Sequence, residues 1–355
     1  MCAPIKMSII LLSVLAALRV AFVGDPQVDN ATQLNYARQT VYATLRARTD
    51  LDLVIVLGDI VNEKLGLIKP SEDSLDSLSC PWFRVNGNHD GPNPPKDTSI
   101  VRSGVRFVLM DNVRRHRKNY SGGFSAHQKL WLDSLAKASP SQEKWVVCTH
   151  IPMSVSTGRD SIYNIFSQRK DLLLVCGHTH AVDRRILERD IEEVQAGASC
   201  GTWWRGRKGS DGIPSGLMNC GAPRGYFIAD FPSSRKWYKL TYQALGRPAD
   251  EQFSITQEGG RIIANVYGGS REGNASVKIN GKWIGMRHSY EMAPEVKETI
   301  EWNASMPREY RKTHKEEFIP MRRLPSPHIW TTEGSGQPTV FRYHDRNMTI
   351  KHKLK

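Results

Sequence analysis

Five apolar runs of strand length, each ending in residues able to bind a metal or move a proton, dominate the first half of the chain. They are "RVAFVG" (19–24), "LDLVIVLGD" (51–59), "PWFRVNGNHD" (81–90), "KWVVCTH" (144–150) and "DLLLVCGHTH" (171–180). Such runs lack the apolar–polar alternation of a half-exposed sheet, so they read as strands covered on both faces. "VRFVLMDN" (105–112) adds a further strand. Helical segments lie between them. From a good N-cap at Asp29/Asn30 to about Arg48, Leu34, Ala37, Val41 and Leu45 fall at helical spacing, and helices are expected near 125–138 and 158–169. Strands alternating with helices predict βαβ units, hence an α/β fold with its sheet layered between helices.

In open α/β sheets the carboxyl ends of the strands lie along one edge, where sites assemble. That edge would collect Asp25 and Gln27, Asp59, Asn88 with His89 and Asp90, His150, and His178 with His180. Each ending alone has an ordinary reading, since Gly-Asp is a common turn and a single histidine at a strand end is usually structural. "GNHD" and "GHTH" are rarer strings, and five such endings in one order argue against coincidence. The residue types suit one chemistry. Two divalent ions about 3.5–4 Å apart need a bridging carboxylate, with imidazoles and amides at the remaining positions. A hydroxide held between them can attack phosphorus, and a non-ligand imidazole nearby can protonate the leaving oxygen.

The ordered set "GDPQ", "GDIVN", "GNHD", "THIP" and "GHTH" resembles the calcineurin-like metallophosphoesterase family over about residues 19–245. The segment "GASCGTWWRG…GIPSGLMNCGAPRGYF" and the tail resemble bacterial members with an appended C-terminal domain. The resemblance implies a four-layer αββα sandwich carrying two divalent metal ions, Mn, Fe, Mg or Zn. By that resemblance Asp25, Gln27 and His180 hold the first metal, Asp59 bridges, and Asn88, His150 and His178 hold the second. His89 acts as general acid or phosphate ligand, with Asp90 orienting its ring. Two departures stand out: the first motif usually reads Asp-x-His where this chain has Gln27, and the span 91–104 is short where relatives carry a substrate-side loop.

The implied activity is hydrolysis of a phosphomonoester or phosphodiester by in-line attack of a metal-bridging hydroxide. The rival readings are a nuclease-type phosphodiesterase, and a catalytically weak protein binding glycan or cell envelope on the same fold. A net charge of +13 favours an anionic partner, here a phosphorylated substrate of unknown class. Apart from "VRRHRK" (113–118) and a mixed run from Arg308 to Arg323 the basic residues are scattered, so dedicated nucleic-acid binding is not expected. Trp204, Arg205 and Arg224, from the Gly-, Trp- and Arg-rich segment, are candidates to line a substrate cleft; the alternative is that the tryptophans pack the tail onto the core.

Residues 1–17 read as a signal peptide, with Lys6 before an apolar run too short to span a bilayer. Export to the periplasm or exterior is the expectation, a cytoplasmic location the alternative. The expected phosphoesterase domain covers 18–248. A polar linker follows at 246–260, and 259–355 reads as a small, mostly β domain whose Asn280-Gly281 marks a tight hairpin. Cys200 and Cys220 are candidates to pair if the chain is exported, and His328 reads as structural.

Overall fold

A computed structural model of the protein describes residues 17–92, 95–117, 119–231 and 237–354. Apart from Ala17, the expected signal peptide lies outside the described residues. The first sheet contains β1 (Leu18–Val23), β2 (Leu53–Val56) and β3 (Trp82–Arg84), all parallel. Antiparallel to β1 runs β12 (Gly225–Phe231), and β13 (Lys239–Ala244) closes that side, giving the order β13-β12-β1-β2-β3. In the second sheet β5 (Val105–Leu109), β8 (Lys144–Thr149), β9 (Leu172–Cys176) and β11 (Glu192–Ala196) are parallel. The antiparallel strands β4 (Thr98–Arg102) and β10 (Val182–Ile186) form its edges.

Side-chain alternation along the second sheet shows why it is buried on both faces. Phe107, Leu109, Val146, Cys148, Leu173 and Val175 share one core with β1 and β2. Val108, Trp145, Val147, Leu172 and Leu174 point the other way, beneath Leu132 and Ile162. Those two residues come from α4 (Ala126–Ala138), started by a Ser125–Gln128 capping box, and α5 (Arg159–Ile165). On the first sheet α1 (Ala31–Gln39) and α2 (Val41–Ala47) bury Leu34, Ala37, Val41 and Leu45, and α3 (Ile68–Asp76) buries Leu75. The layers are therefore helix, sheet, sheet, helix. At about 1.5–3 kcal/mol per buried aliphatic side chain, this double-faced core is the main driving force for folding.

The single helix expected over 30–48 is divided at Thr40, where φ is −115° and ψ −87°. The Thr40 hydroxyl donates to the Tyr36 carbonyl at 2.7 Å, a local bond that bends helices. A two-stranded hairpin, β6 (Val113–His116) with β7 (Asn119–Gly122), stands apart from both sheets.

A third sheet of seven antiparallel strands occupies the C-terminal part. It comprises β14 (Phe253–Glu258), β15 (Arg261–Val266), β16 (Asn274–Ile279), β17 (Lys282–Ser289), β18 (Ile329–Glu333), β19 (Pro338–His344) and β20 (Thr349–Lys353). The Asn280-Gly281 turn joins β16 to β17 with φ of 48° and 79°. Expected linker residues form β14: Phe253 of this edge strand packs on Phe341 at 4.5 Å between ring centres, while the rest of the strand is half-buried or exposed and so carries no apolar run. The sheet curls far enough that Phe253 also meets His352 of the opposite edge. Two helices, α6 (Pro294–Ser305) and α7 (Arg308–Thr313), fall between β17 and β18. Arg184 of β10, fully buried, donates to Glu192 (2.7 Å) and Asp345 (2.6 Å), tying the turn after β19 to the second sheet.

Cys200 and Cys220 are both free thiols. The Cys220 sulfur accepts the Val182 N–H at 3.4 Å, and the Cys200 thiol donates to its neighbour's carbonyl at 3.3 Å. His328 is buried, within 2.7 Å of Asn265 Oδ1, as a structural residue. Among the described residues no helix is long and apolar enough to cross a membrane.

Candidate metal centre

The strand ends converge on one edge. Asp25, Gln27, Asp59, His178 and His180 all have positive φ, between 39° and 71°. Left-handed backbone at residues other than glycine costs about 1–3 kcal/mol each and persists only where the surroundings enforce it. Here they do: Gln27 N–H donates to Asp59 O at 2.8 Å, Leu57 N–H to Val23 O at 2.8 Å, and Ser199 N–H to Gly24 O at 2.7 Å. The Asp25 carboxylate, fully buried, accepts the His178 N–H at 2.9 Å. At position 87 only glycine fits, because a Cβ there would lie 2.0 Å from Asp59 Oδ1 and 2.1 Å from its nitrogen.

His150 defines the centre of the cluster. Its Nδ1 faces the Leu57 carbonyl at 2.8 Å, which assigns the proton to Nδ1 and leaves a lone pair on Nε2. That lone pair meets Asn88 Oδ1 at 2.9 Å, His178 Nδ1 at 3.2 Å and Asp59 Oδ2 at 3.3 Å. The coordinating atoms of Asp59, His150 and His178 all lie within 4.8 Å of one another. A proton on one ring nitrogen can relieve only one such contact, whereas a divalent cation accepts all four donors. The residue set therefore fits a metal ion. Beside it His180 repeats the pattern: Nδ1 faces the Gly201 carbonyl at 2.7 Å, and Nε2 lies 3.6 Å from Asp25 Oδ1. Gln27 adjoins them, its amide nitrogen donating to Asn62 at 3.4 Å, while its Oε1 has the Cys200 thiol 4.0 Å away.

The electrostatics agree. Burial holds the His178 and His180 imidazoles down to about 4, with His150 also lowering both, so at neutral pH they are uncharged and able to donate to a cation. Burial opposes protonation of His150 too, but Asp59 and Asp25 outweigh it and push it up to about 10, so Nε2 draws either a proton or a metal ion, and a metal binding there would displace that proton. Burial drives Asp25 well above the usual carboxylate range, against the pull of His150.

Asp90 has a different task from the expected one. Its carboxylate accepts Gly87 N–H at 2.8 Å and Val61 N–H at 3.2 Å, closing the "GNHD" turn instead of orienting His89. Buried N–H groups left unpaired cost more than a better-placed imidazole would return, so the carboxylate turns inward. His89 instead has Glu63 beside it, 3.4 Å from Nδ1 though without hydrogen-bond alignment. Its backbone N–H donates to Asp59 Oδ1 at 2.8 Å.

Of the three candidate cleft residues only Arg205 reaches the surface. Trp204 is buried and donates to Pro26 O at 2.9 Å, bracing the turn that carries Asp25 and Gln27, and it also lines a hollow shared with Arg205. Arg224 is buried too, its guanidinium 5.2 Å from the Trp204 ring. Sequence reasoning missed Arg115, whose guanidinium donates to Gly87, Asn88 and Gly91 carbonyls and clamps the loop carrying His89. It also missed Tyr120, which meets the His178 ring edge-on at 5.6 Å. The "VRRHRK" run was the one available signal for this hairpin.

Comparison with known proteins follows the same outline. The family described as Calcineurin-like phosphoesterase matches residues 18–182, and that described as C terminal of Calcineurin-like phosphoesterase matches residues 193–343. A manganese-dependent ADP-ribose/CDP-alcohol diphosphatase from Arabidopsis thaliana is 33% identical over 103 residues, covering 23% of this chain and 33% of that protein. The chain thus spans about a third of the length of this curated relative. Among solved structures, a dimetal phosphatase from Danio rerio superimposes with a TM-score of 0.46 and 13% identity over 71% of this chain and 96% of that one. The anchor in the inner membrane complex of Plasmodium gives 0.43 and 14%, over 64% and 85%.

Proposed function

Because the chain belongs to the calcineurin-like phosphoesterase family, we propose that it is a metal-dependent hydrolase of phosphoric esters working at the strand-end cluster. The observation that carries this reading is the convergence of Asp59, Asn88, His150 and His178 lone pairs around one point. In this reading Asp25, Gln27 and His180 would hold one divalent ion and Asn88, His150 and His178 another, with Asp59 available to both. Manganese is the first choice, in keeping with the name of the Arabidopsis relative, with iron, magnesium and zinc as alternatives. Metal bound there supplies a Lewis acid for the phosphoryl oxygens and acidifies water.

The protein's own groups do the rest. Water attacks phosphorus and releases a proton to bulk solvent, the bond to the leaving oxygen breaks, and His89 gives that oxygen a proton that it regains from solvent. Glu63, beside Nδ1, leaves Nε2 on the far side of the ring to donate. Arg115 holds the loop that presents His89. The substrate is a phosphomonoester or phosphodiester. Hydrolysis of aryl phosphates with added manganese tests the reading. Asp59→Ala is expected to lower turnover at least about a hundredfold, whereas full turnover in that variant refutes the shared-ligand assignment.

A further inference from the structure

The metal centre has a formed cavity at each end. One, of about 340 Å³, is lined by Asn88, His89, Arg115, Arg117 and Tyr120. Tyr120 is 46% exposed and rests edge-on against His178. The other, of about 320 Å³, is lined by Asp29, Gln33, Asn62, Trp203 and Arg205. Asn62 is the residue bonded to Gln27, and the Trp203 ring lies 5.0 Å from that of His180. So one cavity adjoins the Asn88–His178 end and the other the Gln27–His180 end. From the second, Arg205 and Gln33 continue into a neighbouring hollow of about 520 Å³ that also presents Arg311 and Lys315.

Trp203 is the feature that packing alone does not explain. It is 40% exposed yet has a φ of 53°, strained for a bulky residue. Its neighbour Trp204, buried and bonded to Pro26 O, holds the loop so that the Trp203 ring stays out beside the metal ligand. Both cavities thus have an exposed aromatic against a ligand imidazole, with arginine alongside. This pairing suits a flat or anionic substituent.

A phosphomonoester has one organic substituent and needs one such cavity. We infer that the substrate is substituted on both sides of the scissile phosphorus, as a phosphodiester or a diphosphate-bridged ester. Its leaving group occupies the His89–Tyr120 cavity, and the retained group, carrying a flat ring, lies against Trp203. The inference rests on the phosphoesterase reading and narrows its substrate class.

The test compares bis-para-nitrophenyl phosphate with para-nitrophenyl phosphate on the manganese-loaded full chain. Wild type is expected to prefer the diester at least tenfold in kcat/KM. Trp203→Ala should cut that preference about tenfold, mainly through KM, the size expected of one lost stacking contact, and Trp203→Phe should retain most of it. A wild-type preference for the monoester, or an unchanged preference in Trp203→Ala, overturns the inference and leaves the phosphoesterase reading intact. If neither ester is hydrolysed, that reading fails by itself, and calorimetric binding of a diphosphate-bridged dinucleoside decides the inference. Binding at least tenfold weaker in Trp203→Ala supports it. No binding, or equal binding by both proteins, overturns it.

Discussion

Replacing Arg184 by methionine tests how the C-terminal sheet is held to the core. The guanidinium is fully buried between Glu192 and Asp345 and also donates to Gly268 O at 3.1 Å. Methionine fills much of the volume but leaves two buried carboxylates without a counter-charge. Removing one member of a buried ion pair costs about 3–5 kcal/mol. Both carboxylates keep other donors: Asp345 accepts from Asn347 N–H (2.7 Å), Met348 N–H (2.8 Å) and Tyr343 OH (2.7 Å), and Glu192 from Asn347 Nδ2 (2.6 Å). The lower end, about 3 kcal/mol, is therefore expected near neutral pH, read as a shift of the guanidinium-chloride midpoint with unchanged slope. The pH dependence has a definite sign. Burial opposes ionisation of Asp345, but Arg184 more than compensates and keeps its carboxyl below the usual range. Its contribution in wild type is thus full above the ordinary carboxylate value and is lost as pH falls through the lowered one. Without the guanidinium the same burial raises that value, so the variant's deficit should shrink between about pH 7 and about pH 4.5. A deficit below about 1 kcal/mol, or one constant over that range, would falsify the claim that these charges depend on one another.

Three further outcomes follow from the site. Gly87→Ala drives a methyl into Asp59 Oδ1 and should abolish metal retention; full metal content in a folded variant would contradict the close approach. Gln27→His replaces an amide oxygen by an imidazole and should tighten metal binding about tenfold while shifting preference towards zinc. Identical titrations of the two proteins would mean that Gln27 belongs to the turn alone. His89→Ala should lose about a hundredfold on esters with poor leaving groups and far less on activated aryl esters. Equal losses would remove its role as general acid.

The core was legible because burial on both faces writes itself as uninterrupted apolar runs, and β1, β2, β8 and β9 all appeared where such runs stand. Half-exposed elements were harder. β14 is an edge strand in the pattern "FSITQE", with Phe253 its one buried side chain, and it reads as a polar linker. α6 went unread within a region expected to be mostly β, although Pro294 and Glu295 stand in its first turn. The break at Thr40 depends on a hydroxyl choosing a carbonyl one turn back, which helical spacing does not record.

The residue types at the candidate metal centre were likewise visible, but the partners that aim them were not. Asp90 is satisfied by the N–H of Val61, 29 positions away, and nothing in "GNHD" foretells that distance. The same holds for Trp204, whose indole N–H holds the Pro26 carbonyl 178 positions away. These inward bonds have one purpose in common. Five of the seven proposed ligands sit in left-handed backbone, and together that strain amounts to about 5–15 kcal/mol, comparable to the whole stability of a domain. Backbone bonds from Gln27 to Asp59 and from Ser199 to Gly24, the turn closed by Asp90, and the bare approach of Gly87 are what make such a conformation tenable. Two large apolar cores supply the surplus. The turn formers in "GDPQ", "GNHD" and "GHTH" are thus the means by which the two sheets hold mutually repelling lone pairs together at one edge, as the proposed metal binding requires.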